Sequence, residues 1–565
     1  MVLKFISLSI FAISILPISL FLSKDRSYFY PWMKEMPGQF IFGSILIILL
    51  FIIFTLIPKE KHPRFISKSI NKLSESHYVL IIAVVIIFIT TNIISFLIFE
   101  HIPHVQDSIC QLFNAKIFLS GKLYASPPVH KEFFRFLYII DDNKWYSQYP
   151  PVHSFLLMLG LLFQAPWLIN PVLGILSAVV LYKISRNIYD LKNANLSLIL
   201  FTFSPFFIFM SSEYMNHAST MFFILLFVWY FIKTIKAQSI PFSFISGVSL
   251  GIALNIRPLT AVSASLPFIF YFLYLLLNDK KFFKIVISFV FGFSLMLLLL
   301  LTYNYLTNGD PLLFGYNAYE KKSHLLGFVE VPSEGINHTP FKGFINTFNN
   351  LNAMNKYLFE WPIPSLSFVF LFFFFKVDKN KWDKLFIFSS LSLTAAYFFH
   401  YFPYLTFGPR FLYCSMPFLV LLTARGILCI PEVFSKKTLR SRESYEFSML
   451  LILLICISFM LIFSFPKLLK EYKQYFNVDK SLFNYVKKNK VQNAVVFINT
   501  GDTPYSNGFQ YNSPELDGDI IFVRNLGQKN IELMKEFPNR KYFIYYKNRN
   551  TQQFELKSLS RGATY

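Results

Sequence analysis

Long apolar runs separated by short polar gaps dominate the chain. Ser44–Ile57, Tyr78–Phe99 and Lys284–Leu301 approach or reach the roughly 20 residues a helix needs to cross a bilayer. Read in this way, the pattern predicts thirteen spans, at 4–23, 39–57, 78–99, 167–185, 195–212, 217–235, 242–256, 259–277, 285–304, 357–375, 385–402, 410–430 and 447–465. The apolar stretch 152–164 is too short to span and reads as an interfacial or re-entrant helix. The expected fold is an all-α polytopic membrane protein. From 466 onward the pattern changes. Strand-like runs at Ala494–Ile498, Asp519–Val523 and Tyr542–Tyr546, with a helical run near Asn530–Phe537, predict a small C-terminal α/β domain. The expected division is a two-helix anchor at 1–77, a membrane domain at 78–465 with large loops 100–151 and 305–356, and the α/β domain at 466–565.

Charge sets the orientation. The formal net charge is +22, and the cations gather in the gaps 58–77, 278–284, 376–384 and 431–446. The alternate gaps 213–216, 257–258 and 403–409 hold one Arg among them. Cytoplasmic loops carry the Lys and Arg excess, so the N-terminus is expected in the cytoplasm and the C-terminal domain outside, in a multi-pass protein of the plasma (inner) membrane. The first apolar segment, with Lys4 alone before it and no clear small-residue cleavage site, reads as a retained anchor. No basic helix or aromatic ladder suited to nucleic acid is present, so none is expected as a partner. The four cysteines form no CxxC pair, and neither a disulfide framework nor a zinc site is indicated.

Polar chemistry collects in the large loops and the short turns. Asp107 opens an amphipathic helix carrying Ile109, Leu112, Phe113 and Ile117 on one face and ending at Gly121; such a helix would lie on the membrane surface. Asp107 reads as a helix cap, as a general base, or as both, since a helix N-terminus keeps a carboxylate ionised. Arg257 and Arg410 stand at span ends against the charge trend. They read as interfacial residues with snorkelling side chains, or as a pair of phosphate clamps, because a guanidinium suits phosphate oxygens. Lys116 and Lys122 are loop-borne cations that could assist. Glu213 and His217 share a short turn at i, i+4 spacing, too few ligands to make a metal site. Tyr149 and His153 flank the Pro150-Pro151 re-entry, and with His104 read as interface or site residues. Asp517-Gly-Asp519 matches a D-x-D triplet but reads as turn chemistry. No P-loop, GxSxG or HExxH occurs.

Several of these residues carry a resemblance. Asp107 followed by Leu112-Phe-Asn-Ala-Lys-Ile-Phe118, Gly121 and Lys144-Trp-Tyr-Ser-Gln-Tyr-Pro-Pro151 resembles the bacterial relatives of protein O-mannosyltransferases and aminoarabinose (lipid A) transferases, polytopic glycosyltransferases of GT-C fold. Ala165-Pro-Trp-Leu-Ile-Asn-Pro171, Ser204-Pro-Phe-Phe207, Ile256-Arg-Pro-Leu-Thr260, Gly309-Asp-Pro311 and Gly408-Pro-Arg-Phe-Leu-Tyr413 extend it to about residue 430, and Leu516-Asp-Gly-Asp-Ile520 into the tail. Family members often carry Asp-Glu where this chain has Asp107-Ser108, and Gly-His after the Pro-Pro pair where it has Val152-His153. The resemblance implies a sugar donor on a polyprenyl phosphate, an envelope acceptor (glycan, lipid or protein), and Asp107 as base. Arg257 and Arg410 are then expected at the lipid phosphate. Lys116, Lys122, Tyr149, His153, Glu213 and His217 are expected around the substrates. No cofactor is expected, and divalent metal is left open. The alternative is a lipid-linked saccharide transporter or flippase, which should place ionisable groups near mid-membrane.

Overall fold

The computed structural model describes residues 15–17, 30–58, 76–319, 326–328, 330–331, 336–375, 379–401 and 405–560. Among them, eight helices are long and apolar enough to cross a membrane, and a bent pair makes a ninth candidate. The chain is a multi-pass membrane protein. The expected span 4–23 lies, apart from 15–17, outside the described residues.

Four expected spans take another form. Residues 242–256 form a short helix, Ile240–Leu254. Its small residues let it pack closely: Gly247 and Gly292 bring it backbone to backbone against the long helix Phe282–Asn308, where a Cβ at either glycine would strike a carbonyl. The run 357–375 is not one helix. Helix Pro340–Tyr357 ends where the span was expected to begin, and only Ser367–Phe374 is helical beyond it. Pro362 and Pro364 explain the break, since each removes a backbone donor and clashes with the preceding turn. The third helix, Lys381–Phe398, has Lys381, Asp383 and Lys384 in its first turns and starts with an Asn380–Asp383 capping box. The expected span 195–212 is broken as well. Leu191–Thr202 and Pro205–Ser212 meet at 60°, with Ser204 capping the second piece at its Pro205.

The last span continues past the membrane length, through a π-helical turn at Met460–Ser464, to helix Phe465–Tyr472. Beyond it lies a four-stranded sheet in the order Ile520–Arg524, Ala494–Ile498, Lys541–Lys547, Phe554–Leu559. The first three strands are parallel and the last antiparallel. Ala494–Ile498 is buried at every position, as a central parallel strand covered on both faces should be.

The sheet region packs on the loop that follows helix Val79–Leu97. That loop carries helix Gln106–Leu119, a hairpin pairing Ile139–Ile140 with Tyr146–Ser147, and helix Pro151–Leu162. Phe113, Phe133, Phe136 and Trp145 of the loop share one core with Phe497, Phe509 and Phe522 of the sheet region. Phe136 stacks on Phe509 at 4.4 Å. The expectation that helix Gln106–Leu119 lies on the membrane surface is therefore corrected. Ile109, Phe113 and Ile117 are buried against the sheet region, while Leu112 turns to helix Pro151–Leu162. Protein covers the apolar stripe that would otherwise have met lipid.

Candidate active site

Helix Gln106–Leu119 starts from an extended Val105, and no side chain caps it. Asp107 sits one place inside the first turn, so its expected role as the cap is corrected. Its side chain is held by two others. The Tyr149 hydroxyl donates to Oδ1 at 2.6 Å, and Arg410 Nη1 donates to Oδ2 at 3.3 Å. Burial pushes the Asp107 carboxyl up, but Arg410, the Tyr149 hydroxyl and Arg257 together outweigh it and hold it below the usual carboxylate range. Asp107 is therefore ionised at neutral pH. Burial and the neighbouring carboxylate push Tyr149 well up, so its hydroxyl keeps the proton it donates.

Arg257 caps the span Pro258–Asn278 and reaches back over it. Its guanidinium donates to Asn216 Oδ1 at 3.2 Å, the Tyr397 hydroxyl at 3.3 Å and Thr260 Oγ1 at 3.4 Å. Thr260 and Tyr397 are themselves hydrogen-bonded at 2.7 Å. All three hydrogen-bond partners are neutral, so they orient the cation without ion-pairing it. The Phe411 ring lies against both arginines, with the Arg257 and Arg410 guanidinium carbons 5.4 and 5.1 Å from its centre.

Asp107, Arg257 and Arg410 face one cavity of about 470 Å³. Tyr138, Tyr149, Tyr316, Tyr397, His400 and Phe411 complete its polar and aromatic side. Leu254, Leu259, Val262, Leu297 and Leu300, from three successive helices, form an apolar wall. Asp107 is the only carboxylate and His400 the only imidazole among the lining residues. The arrangement can take up a proton at one ionised carboxylate, hold an anion against two guanidiniums, and shelter an apolar tail.

The other expected residues lie elsewhere. Glu213 is buried behind the site helix, where Oε1 accepts from the His104 backbone N–H at 3.0 Å and Oε2 from Ser108 Oγ at 2.8 Å. Burial pushes it up to about 7, against the pull of those donors. It pins the start of the helix that carries Asp107. His153 is occupied on both ring nitrogens, by Ser219 Oγ and the Tyr214 carbonyl. His217 is buried at the start of the next span, and neither histidine lines the cavity. Lys116 points into the sheet region, donating to the carbonyls of Gln510 and Asn512 at 2.7 and 2.9 Å, and burial lowers it to about 8. Lys122 pairs with Glu515 at 2.8 Å on the exposed rim. Asp519 accepts from the Asn493 backbone N–H, and Arg540 binds the Gly518 and Asp519 carbonyls, so the D-x-D triplet is a braced turn.

The sequence reading did not single out Tyr138, Tyr316, Tyr397, His400 or Phe411. Among 32 tyrosines and 71 phenylalanines, no local signal marks them apart from the position of Phe411 next to Arg410.

Residues 148–305 match the family described as Dolichyl-phosphate-mannose-protein mannosyltransferase. No curated protein matches the chain in sequence. Two solved structures of ArnT from Cupriavidus metallidurans share the fold. The apo form gives a TM-score of 0.53 at 10% identity, covering 84% of this chain and 92% of ArnT. The form bound to undecaprenyl phosphate gives 0.51 at 9% identity, covering 84% and 93%. This chain therefore has the ArnT-like GT-C fold, and its segment 148–305 is similar to the mannosyltransferase family.

Proposed function

We propose that this protein is a membrane glycosyltransferase that moves a sugar from a polyprenyl-phosphate donor to a hydroxyl of an envelope acceptor. The observation that carries the reading is the convergence of one ionised carboxylate and two guanidiniums on a cavity with an apolar wall. The ArnT form bound to undecaprenyl phosphate and the mannosyltransferase match support a lipid-linked donor.

In this reading the acceptor oxygen attacks the anomeric carbon from the Asp107 side, and its proton passes to Asp107. The bond from the anomeric carbon to the phosphate oxygen breaks, and its electron pair leaves with the lipid phosphate. Arg257, whose hydrogen bonds go to the neutral groups Asn216, Thr260 and Tyr397, meets that charge first. Arg410 meets it while still holding Asp107. The polyprenyl chain lies along Leu254, Leu259, Val262, Leu297 and Leu300. A single displacement inverts the anomeric configuration. Tyr149 fixes the carboxylate, and Glu213 fixes the helix beneath it.

The direct test is turnover by the purified protein with a polyprenyl-phosphate sugar and an envelope extract, the products being identified by mass spectrometry. Transfer from the lipid donor supports the reading, while transfer only from a nucleotide sugar defeats it. Tyr397→Phe removes one hydroxyl that orients Arg257. It should raise the donor KM about fivefold, about 1 kcal/mol, and leave the acceptor KM unchanged. An equal rise in both constants would deny Tyr397 this positioning role.

We also place the sheet region and the cavity mouth outside the cell. The four native cysteines are buried, so Lys122→Cys creates a single exposed thiol on the rim. It should react with a membrane-impermeant maleimide in intact cells. Labelling only after permeabilisation would reverse the orientation.

A further inference from the structure

Away from the cavity, one junction between the loop 100–151 and the sheet region gathers groups of a different kind. His130, Glu132 and Glu532 bring ligand atoms within 4.8 Å of one another, the only such grouping of three among the described residues. His130 and Glu132 flank the start of the short helix Lys131–Phe134, and Glu532 stands on helix Asn530–Glu536 of the sheet region. His130 Nδ1 lies 3.9 Å from Glu132 Oε1, and its ring is steadied edge-on by Phe133 at 6.2 Å.

Two further observations separate this cluster from an ordinary acidic surface. First, Glu536, one turn on from Glu532, lies near His130, and its Oε2 is buried without a hydrogen-bond donor among the described residues. Second, the neighbouring cations are turned elsewhere. Lys131 donates to the Asp142 carbonyl, and Arg135 pairs with Asp141 at 3.8 Å. Among the described residues, neither Glu132 nor Glu532 has a lysine or arginine partner. In a chain of net charge +22, two carboxylates with a third at their edge converge on an imidazole with no basic side chain to relieve them. Like charges held this close favour a bound cation.

We propose that His130, Glu132 and Glu532 bind a divalent transition-metal ion, with zinc as the natural occupant, and that the ion clips the sheet region onto the loop that carries Asp107. An imidazole with two carboxylates suits zinc, whereas an all-oxygen set would suit calcium. His130 Nδ1 and Glu132 Oε1, 3.9 Å apart, stand further from each other than two ligands of one tetrahedral ion, so binding draws the groups together. Phe133 and Phe134, which follow directly, are buried in the shared core, and Tyr138 a few residues on lines the cavity. The ion would thus stiffen the outer wall of the site without touching substrate. The proposal stands independently of the assigned reaction.

The test uses the full-length protein in detergent, stripped with chelator and then titrated with zinc chloride. The wild type should take up one zinc per chain, and its Tm should rise by several degrees, because a ligand that binds only the folded state stabilises it. Calcium chloride should produce neither effect. Glu532→Gln alters an exposed residue, so it should fold normally yet lose both the zinc and the Tm rise; His130→Ala should do the same. Uptake and Tm response equal in wild type and Glu532→Gln, or no uptake by the wild type, would overturn the proposal.

Discussion

Asp107→Asn should insert and fold normally yet lower sugar transfer by about a thousandfold, the scale of a missing general base. Asn keeps the shape of the side chain and can still accept from Tyr149 at the position of Oδ1. It cannot take the proton of the acceptor hydroxyl. The pH profile provides a second reading of the same group. Arg410 and Arg257 hold the Asp107 carboxyl below its ordinary range, so the base stays ionised as pH falls from 7 toward 5. Activity lost through Asp107 should appear only in more acidic solution. The sign for stability is the same: a depressed carboxylate stabilises the fold above its unfolded pKa, and that stabilisation disappears as pH falls through the folded value. Glu213 behaves in the opposite sense. Its carboxyl is raised to about 7, so the folded state binds the extra proton and stability declines between about pH 4.5 and 7. Glu213→Gln should flatten that decline in a thermal-unfolding series; an unchanged slope would deny the buried carboxyl its raised affinity for protons.

The second large effect is expected at Arg257. Arg257→Ala should raise the donor KM about a hundredfold, equivalent to about 2.7 kcal/mol of lost charge-assisted binding, and leave the acceptor KM near its wild-type value. Arg257→Lys should recover little of it. A lysine ammonium cannot reach Asn216, Thr260 and Tyr397 from one plane as the guanidinium does. Arg410 is the less clean probe. It is buried and paired with Asp107, so Arg410→Ala leaves a half-buried carboxylate without its main counter-charge and should lower stability as well as turnover. A rise in acceptor KM without one for donor in Arg257→Ala would remove Arg257 from the phosphate position.

Elements whose signal is local were legible in the sequence. Strand Ala494–Ile498 is a continuous apolar run and lies where its pattern put it. Helix Asn530–Glu536 does so to within a residue. Strand Phe554–Leu559 escaped because it is a half-exposed edge strand whose apolar alternation, Phe554-Glu-Leu-Lys557, is too short to stand out, and it is defined by its partner Lys541–Lys547. The spans were legible where one hydrophobic run makes one helix. They were misread where Pro205 bends a run or Pro362 and Pro364 end one, because mean hydropathy does not register a missing backbone donor. The site divides in the same way. Asp107, Arg257 and Arg410 stood out as charges at the edges of apolar runs, and all three line the cavity. Lys116 and Lys122 stood out equally but are taken up by the sheet region, whose docking no local pattern announces. Tyr397 and Tyr316 reach the cavity through long-range packing and are indistinguishable in sequence from the many other aromatics. The buried Asp383–Arg425 pair, 3.7 Å apart, was missed too. It lies fourteen residues from Tyr397 along one helix, about 20 Å from the cavity, and Tyr189 also donates to Asp383. Its place is in helix packing.

Native mass spectrometry of the purified protein supplied with undecaprenyl phosphate tests the central claim most directly. The wild type should retain one lipid phosphate per chain through detergent stripping, and the Arg257→Ala/Arg410→Ala double variant should release it while remaining folded. Equal retention by a folded double variant, or no retention by the wild type, would contradict the assignment of this cavity to a lipid-borne phosphate.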